Sequence, residues 1–166
     1  MKKSFLQFTM IIPLVILLCF TFGCQAYEEK PAVDIEADVA AIESLTNQVM
    51  NAWNEGDLDA FMATVAEDAV YMPPGEPVLI GKESIRNWYD FDNFSFDVTI
   101  SSDEIEICGD WAIQRATWKG SWIQKDSGET TQIESKDIII YRRQPDGSWK
   151  ESHAIWNFTS RETSEK

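Results

Sequence analysis

Between residues 35 and 53 the apolar side chains Ile35, Val39, Ile42, Leu45, Val49 and Trp53 fall three or four positions apart. That is the spacing of one stripe along an α-helix. Gly56 ends the helix, and Asp57 caps a second one over residues 58–67 that buries Phe61, Met62 and Val65. Residues 69–72 form a short strand stopped by Pro73-Pro74-Gly75, residues 78–80 another extended piece, and residues 82–89 a third helix presenting Ile85, Trp88 and Tyr89. From Asn93 the period drops to two, which predicts long strands over 94–107, 111–124, 131–143 and 149–159.

The links between these strands are short and carry turn residues: Cys108-Gly109-Asp110, Lys125 to Glu129, and Gln144-Pro145-Asp146-Gly147-Ser148. They make antiparallel neighbours. Helices first and a meander second give an α+β fold, three N-terminal helices packed on a curved, mostly antiparallel sheet. The domain runs from 33 to 160, and residues 161–166 read as a polar tail that frays.

Ahead of it, Lys2 and Lys3 introduce an almost charge-free run from Phe5 to Phe22 broken by Pro13. A basic start and a short apolar stretch describe an export signal over residues 1–23 rather than a spanning helix, which needs about 20 apolar residues. Thr21-Phe22-Gly23-Cys24 resembles a bacterial lipoprotein cleavage box, although Thr21 and Phe22 depart from its usual Leu and small residue. This places the chain in the cell envelope on a lipid at Cys24, with residues 24–32 as a tether. The alternative is cleavage after Ala26 and secretion of a soluble protein. Only Cys108 then remains, so no disulfide forms within one mature chain; it reads as a small buried hydrophobe, the other reading being a reactive thiol.

The full chain has 166 residues and a formal charge of −14, from 28 Asp plus Glu against 14 Lys plus Arg. An acidic surface of this kind repels phosphate, which excludes nucleic acid as a leading partner. One histidine and one retained cysteine assemble no zinc set, and there is no phosphate loop, dinucleotide fingerprint or serine elbow. Neither cofactor nor metal is expected.

Four segments in order, Trp53 to Ala60, Glu67-Asp68-Ala69-Val70, Gly81 to Ile85, and Arg142 to Trp149, resemble the nuclear transport factor 2-like superfamily in its SnoaL-like and ketosteroid-isomerase-like branch. The resemblance implies a cone-shaped fold around an apolar pocket, and pairing as dimers in many members. It also implies where isomerase chemistry would sit. Such enzymes use an Asp base together with a Tyr and a protonated Asp that hold the oxyanion. The matching positions here are Met72, Val49 and Ile139, and none of the three can move a proton or donate to an enolate.

The remaining candidates lie on the late strands and the pocket mouth. His153 is the only histidine, the residue type that most readily exchanges protons near neutral pH. Alternation puts it on one face with Trp149, Glu151, Ile155 and Asn157. If Pro145-Asp146-Gly147 makes a turn with Gln144 opposite Ser148, Asp137 becomes its diagonal neighbour and a catalytic Asp137–His153 pair is available. A longer loop puts Lys136 there instead. A structural or convex-surface role for His153 stands against catalysis. Tyr71, Met72 and Trp88 are candidate ligand-binding residues or plain core, and Arg115 receives a ligand carboxylate or pairs with a surface acid. Trp118 and Trp122, should their face be convex, supply a homodimer surface. The leading expectation is a binding protein for a small apolar or amphipathic molecule. A SnoaL-like cyclase, isomerase or hydratase and a non-catalytic interaction domain are the alternatives.

Overall fold

In the computed structural model, which describes residues 34–164, Asp34 starts the first helix by accepting a 3.0 Å hydrogen bond from the Ala37 amide. This helix, α1 (Ile35–Glu55), ends at Gly56, whose φ of 70° is the left-handed conformation that glycine adopts most easily. The stripe is buried from Ile42 onward, while Ile35 lies in solvent. Asp57 caps α2 (Leu58–Thr64) through the Ala60 amide at 2.9 Å.

The second helix is three residues shorter than its pattern predicts. Val65 and Ala66 pass into β1 (Val65–Met72), where Val65 pairs in parallel with Glu151. Both are fully buried there. A strand position in the sheet thus overrides weak local helix preference, which the β-branched Thr64 and Val65 already lower. Then come β2 (Leu79–Ile80), α3 (Lys82–Trp88) and four long strands: β3 (Phe94–Cys108), β4 (Trp111–Gln124), β5 (Thr130–Arg143) and β6 (Trp149–Ser164).

The sheet order is β2-β1-β6-β5-β4-β3, antiparallel throughout except at β1–β6. The helices cover one face, as expected for α+β. β6 continues to Ser164, pairing Thr131 with Thr163 and Thr130 with Ser164, so residues 161–164 belong to the sheet rather than to a frayed tail. Cys108 corrects a second expectation, since it is exposed at the end of β3. Residues 1–33, with the export signal, tether and Cys24, lie outside the described residues.

Two local devices hold β3, an edge strand of the sheet, in place. Asn54 at the end of α1 donates from Nδ2 to the Val98 carbonyl at 2.9 Å and accepts from the Val98 amide at 2.8 Å, satisfying edge groups that no strand among the described residues pairs. Opposite Val98, Gly120 has φ 153°, and a Cβ built there would lie 2.0 Å from the Asp97 carbonyl oxygen. Only glycine permits this approach of β4 to β3.

Candidate functional site

Trp53, near the end of α1, is the centre of an aromatic cluster. Its ring meets Phe61, Tyr89, Phe91, Phe96 and Trp118 edge-on at centroid distances of 4.7 to 5.7 Å. Such edge-to-face contacts suit the ring quadrupoles and fix the rings in place. Beside the cluster, between the helices and the concave face of the sheet, lies a cavity of about 390 Å³. Its wall continues along β4 through Gln114, Trp118 and Trp122, and along β5 and β6 through Ser135, Asp137, Ile139, Tyr141, Glu151, Trp156 and Phe158. A volume of this size accommodates a small organic molecule.

Asp90, Glu129, Asp137 and Glu151 line the cavity, and Asp137 and Glu151 stand among the inward residues of β5 and β6. Glu151 is buried and accepts a hydrogen bond from the Tyr71 hydroxyl. Burial pushes its pKa up to about 7, the charge of Asp137 adds to the rise, and the Tyr71 bond opposes it. Asp137 accepts a 2.6 Å bond from Ser135 Oγ, and burial likewise raises its pKa to about 7. Desolvation raises the Tyr71, Tyr89 and Tyr141 hydroxyls well above the usual phenol value. Tyr141 donates to Gln114 Oε1 at 2.7 Å, and Gln114 Nε2 donates to Thr46 and Ser102 at 2.9 and 2.8 Å. Every polar end of this fully buried amide is therefore used. Among the described residues no group of three His, Cys, Asp or Glu side chains is placed to hold a metal ion.

A family model described as a SnoaL-like domain matches residues 46–152. The chain belongs to the SnoaL-like domain family. No curated protein matches the chain. Among solved structures, a ketosteroid isomerase-like protein from Erwinia carotovora atroseptica SCRI1043 is 28% identical with a TM-score of 0.67, over 73% of this chain and 95% of that one. A nuclear transport factor 2 superfamily protein from Salmonella enterica subsp. enterica serovar Typhimurium str. LT2 shares the fold at 15% identity and TM-score 0.62, over 75% of this chain and 94% of its own. The hexachlorocyclohexane dehydrochlorinase LinA-type3 from Novosphingobium barchaimii LL02 does so at 17% and 0.68, covering 79% and 92%. The cone architecture expected from the motifs is the architecture found.

In this SnoaL-like domain Tyr71, Trp88 and Asp137 line the cavity, as do Val49 and Ile139. Met72 does not, because it follows Tyr71 on β1 and faces the other side of the sheet, opposite the exposed Ile155. Arg115 is also on that outer face, exposed and paired with Asp103 at 3.1 Å and Glu104 at 3.3 Å. Trp118 and Trp122 lie in the cavity wall, so their face is concave and cannot be an outer dimer surface.

The Asp137–His153 pair does not form. The Pro145-Asp146-Gly147 turn sets Gln144 against Ser148, with the Gln144 amide donating to the Ser148 carbonyl at 2.7 Å. But Tyr141 pairs with Glu151 while Ile140 pairs with His153, so Ser152 is an extra residue that turns the following side chains over. Glu151 stays on the cavity side, whereas His153 leaves it, with its ring 6.5 Å from that of Trp111 and Nδ1 3.1 Å from Ser152 Oγ. The Glu151–Tyr71 pair and the Gln114 hub escaped the sequence reading. Their available signal was a charged and an amide residue at inward positions of otherwise apolar strands.

Proposed function

We propose that this domain binds a small, largely apolar molecule in the aromatic cavity, on a chain exported by its N-terminal signal and anchored through Cys24. The 390 Å³ cavity walled by aromatic rings carries the reading. Rings give large contact area with little rotamer entropy to lose. The export part rests on Lys2, Lys3, the apolar run and Gly23-Cys24. Native mass spectrometry of the full chain, purified from a bacterial envelope, tests both parts. An excess mass that leaves on unfolding and a diacylglycerol mass that stays are the expected results. An empty cavity after exposure to a lipid and metabolite extract would overturn the binding reading.

A second reading is favoured by Asp137 and Glu151, two carboxyls facing one cavity with pKa values near 7. Groups poised there exchange protons efficiently at neutral pH. In an isomerase- or dehydratase-type reaction Asp137 would take the substrate proton, and the Glu151–Tyr71 pair would donate to the developing oxyanion. Asp137→Asn would then abolish turnover while leaving binding in place; retained turnover would remove Asp137 from the reaction.

A further inference from the structure

The wall of the cavity is unusual in its charge. Its described lining holds one basic residue, Arg161, and, besides Asp90 and Glu129, the carboxyls of Asp137 and Glu151 among aromatic side chains of β5 and β6. Neither carboxyl is matched by a cation within ion-pair distance among the described residues. Ser135 Oγ donates to Asp137 Oδ1 at 2.6 Å, and among the described residues no other hydrogen bond to this carboxyl is found. Across the ladder Asp137 is paired with Trp156, whose ring stands edge-on to Trp88 at 6.0 Å and to Tyr71 at 6.3 Å. A carboxylate in a cavity lined by aromatic side chains is a surrounding in which a cation is stabilised by charge and, over a ring face, by the ring quadrupole. The rim already shows this preference: Arg161 holds its guanidinium 5.5 Å from the Trp122 ring and 5.3 Å from the Phe158 ring.

We propose that the cavity takes an organic cation, a protonated amine on an apolar body, with the ammonium at Asp137 and the body among the rings. This rests on the binding reading above and narrows its ligand class. A neutral ligand leaves the buried carboxyls without a counter-charge, and an anionic one adds repulsion. The ammonium offsets the desolvation of the carboxylates, and the rings replace its lost water.

Three probes with one carbon skeleton separate the possibilities: phenylbutylamine, phenylbutanol and phenylbutyrate. They are titrated into the full chain at about pH 8, where carboxyls of pKa near 7 are mostly ionised, with calorimetry as the readout. The expected order is the amine about tenfold or more tighter than the alcohol, with the carboxylate weakest. Asp137→Asn should narrow the gap between amine and alcohol several-fold, with Glu151 remaining as a second carboxyl in the cavity; an unaltered gap would take the ammonium away from Asp137. Equal affinities for all three would overturn the cation assignment while leaving the apolar cavity as a binding site. Absence of binding by any probe would overturn both. The ranking on the unmodified chain decides the matter even if the variant fails to fold.

Discussion

The Tyr71 hydroxyl donates a hydrogen bond to the Glu151 carboxylate, linking the two strands of the sheet's parallel pair from inside the cavity. That bond favours the charged form of Glu151, against burial and the nearby Asp137, which favour the neutral one. Tyr71→Phe removes the only opposing influence among these and should raise the Glu151 pKa beyond about 7. Carboxyl titration by carbon NMR reads this directly. An unchanged or lower value would mean that Tyr71 does not stabilise the carboxylate.

Asp137 and Glu151 also set a direction for stability against pH. Their folded pKa values, about 7, lie above those of an unfolded chain. The folded state therefore holds more protons between about pH 4 and pH 7, and stability falls as pH rises through that window. Each group contributes at most about 1.4 kcal/mol per pH unit there. Asp38 and Asp68 act oppositely: hydrogen bonds from Arg143 and Arg142 hold their pKa values down, so their contribution is lost as pH falls below the unfolded carboxylate value. Urea midpoints should decline from pH 5 to pH 7. The double variant Asp137→Asn, Glu151→Gln should flatten that decline, and a decline unaltered by it would contradict the assignment.

Gly120→Ala should cost about 3 kcal/mol, because the added methyl meets backbone rather than a side chain that can swing away. Chemical denaturation measures the loss. A cost below about 1 kcal/mol would show that β3 and β4 shift apart easily.

Gln114→Leu keeps the volume of the side chain but leaves the Tyr141 hydroxyl, bonded to it at 2.7 Å, without that partner. The expected loss is about 2 kcal/mol, the cost of breaking a buried polar network that also reaches Thr46 and Ser102. Adding Tyr141→Phe should recover part of it, since removing both partners is cheaper than removing one. A double variant no more stable than the single one would locate the cost elsewhere, at Thr46 or Ser102.

Much of the fold was legible because its signals are local. The i, i+3, i+4 stripe, the cap at Asp57, and period-two strands joined by turn residues all act within a few positions. The boundary between α2 and β1 was not legible, because parallel pairing of Val65 with Glu151 depends on a strand 86 positions away. The site was half legible for one reason. Which side chains share a face depends on register, and the extra residue Ser152 shifts it without any glycine to announce it. Tyr71 and Asp137 precede or avoid that irregularity and fall where alternation puts them. His153 follows it and does not.

The last strand also has a practical consequence. Arg161 and Thr163 help form the cavity rim, and Thr163 Oγ1 lies 3.1 Å from that of Thr131. A variant truncated after residue 160 would lose a piece of the entrance, not a dispensable tail. A reporter or affinity tag inserted after Thr163 would stand at that entrance and compete with incoming molecules. Binding experiments are therefore better designed with the label at another position.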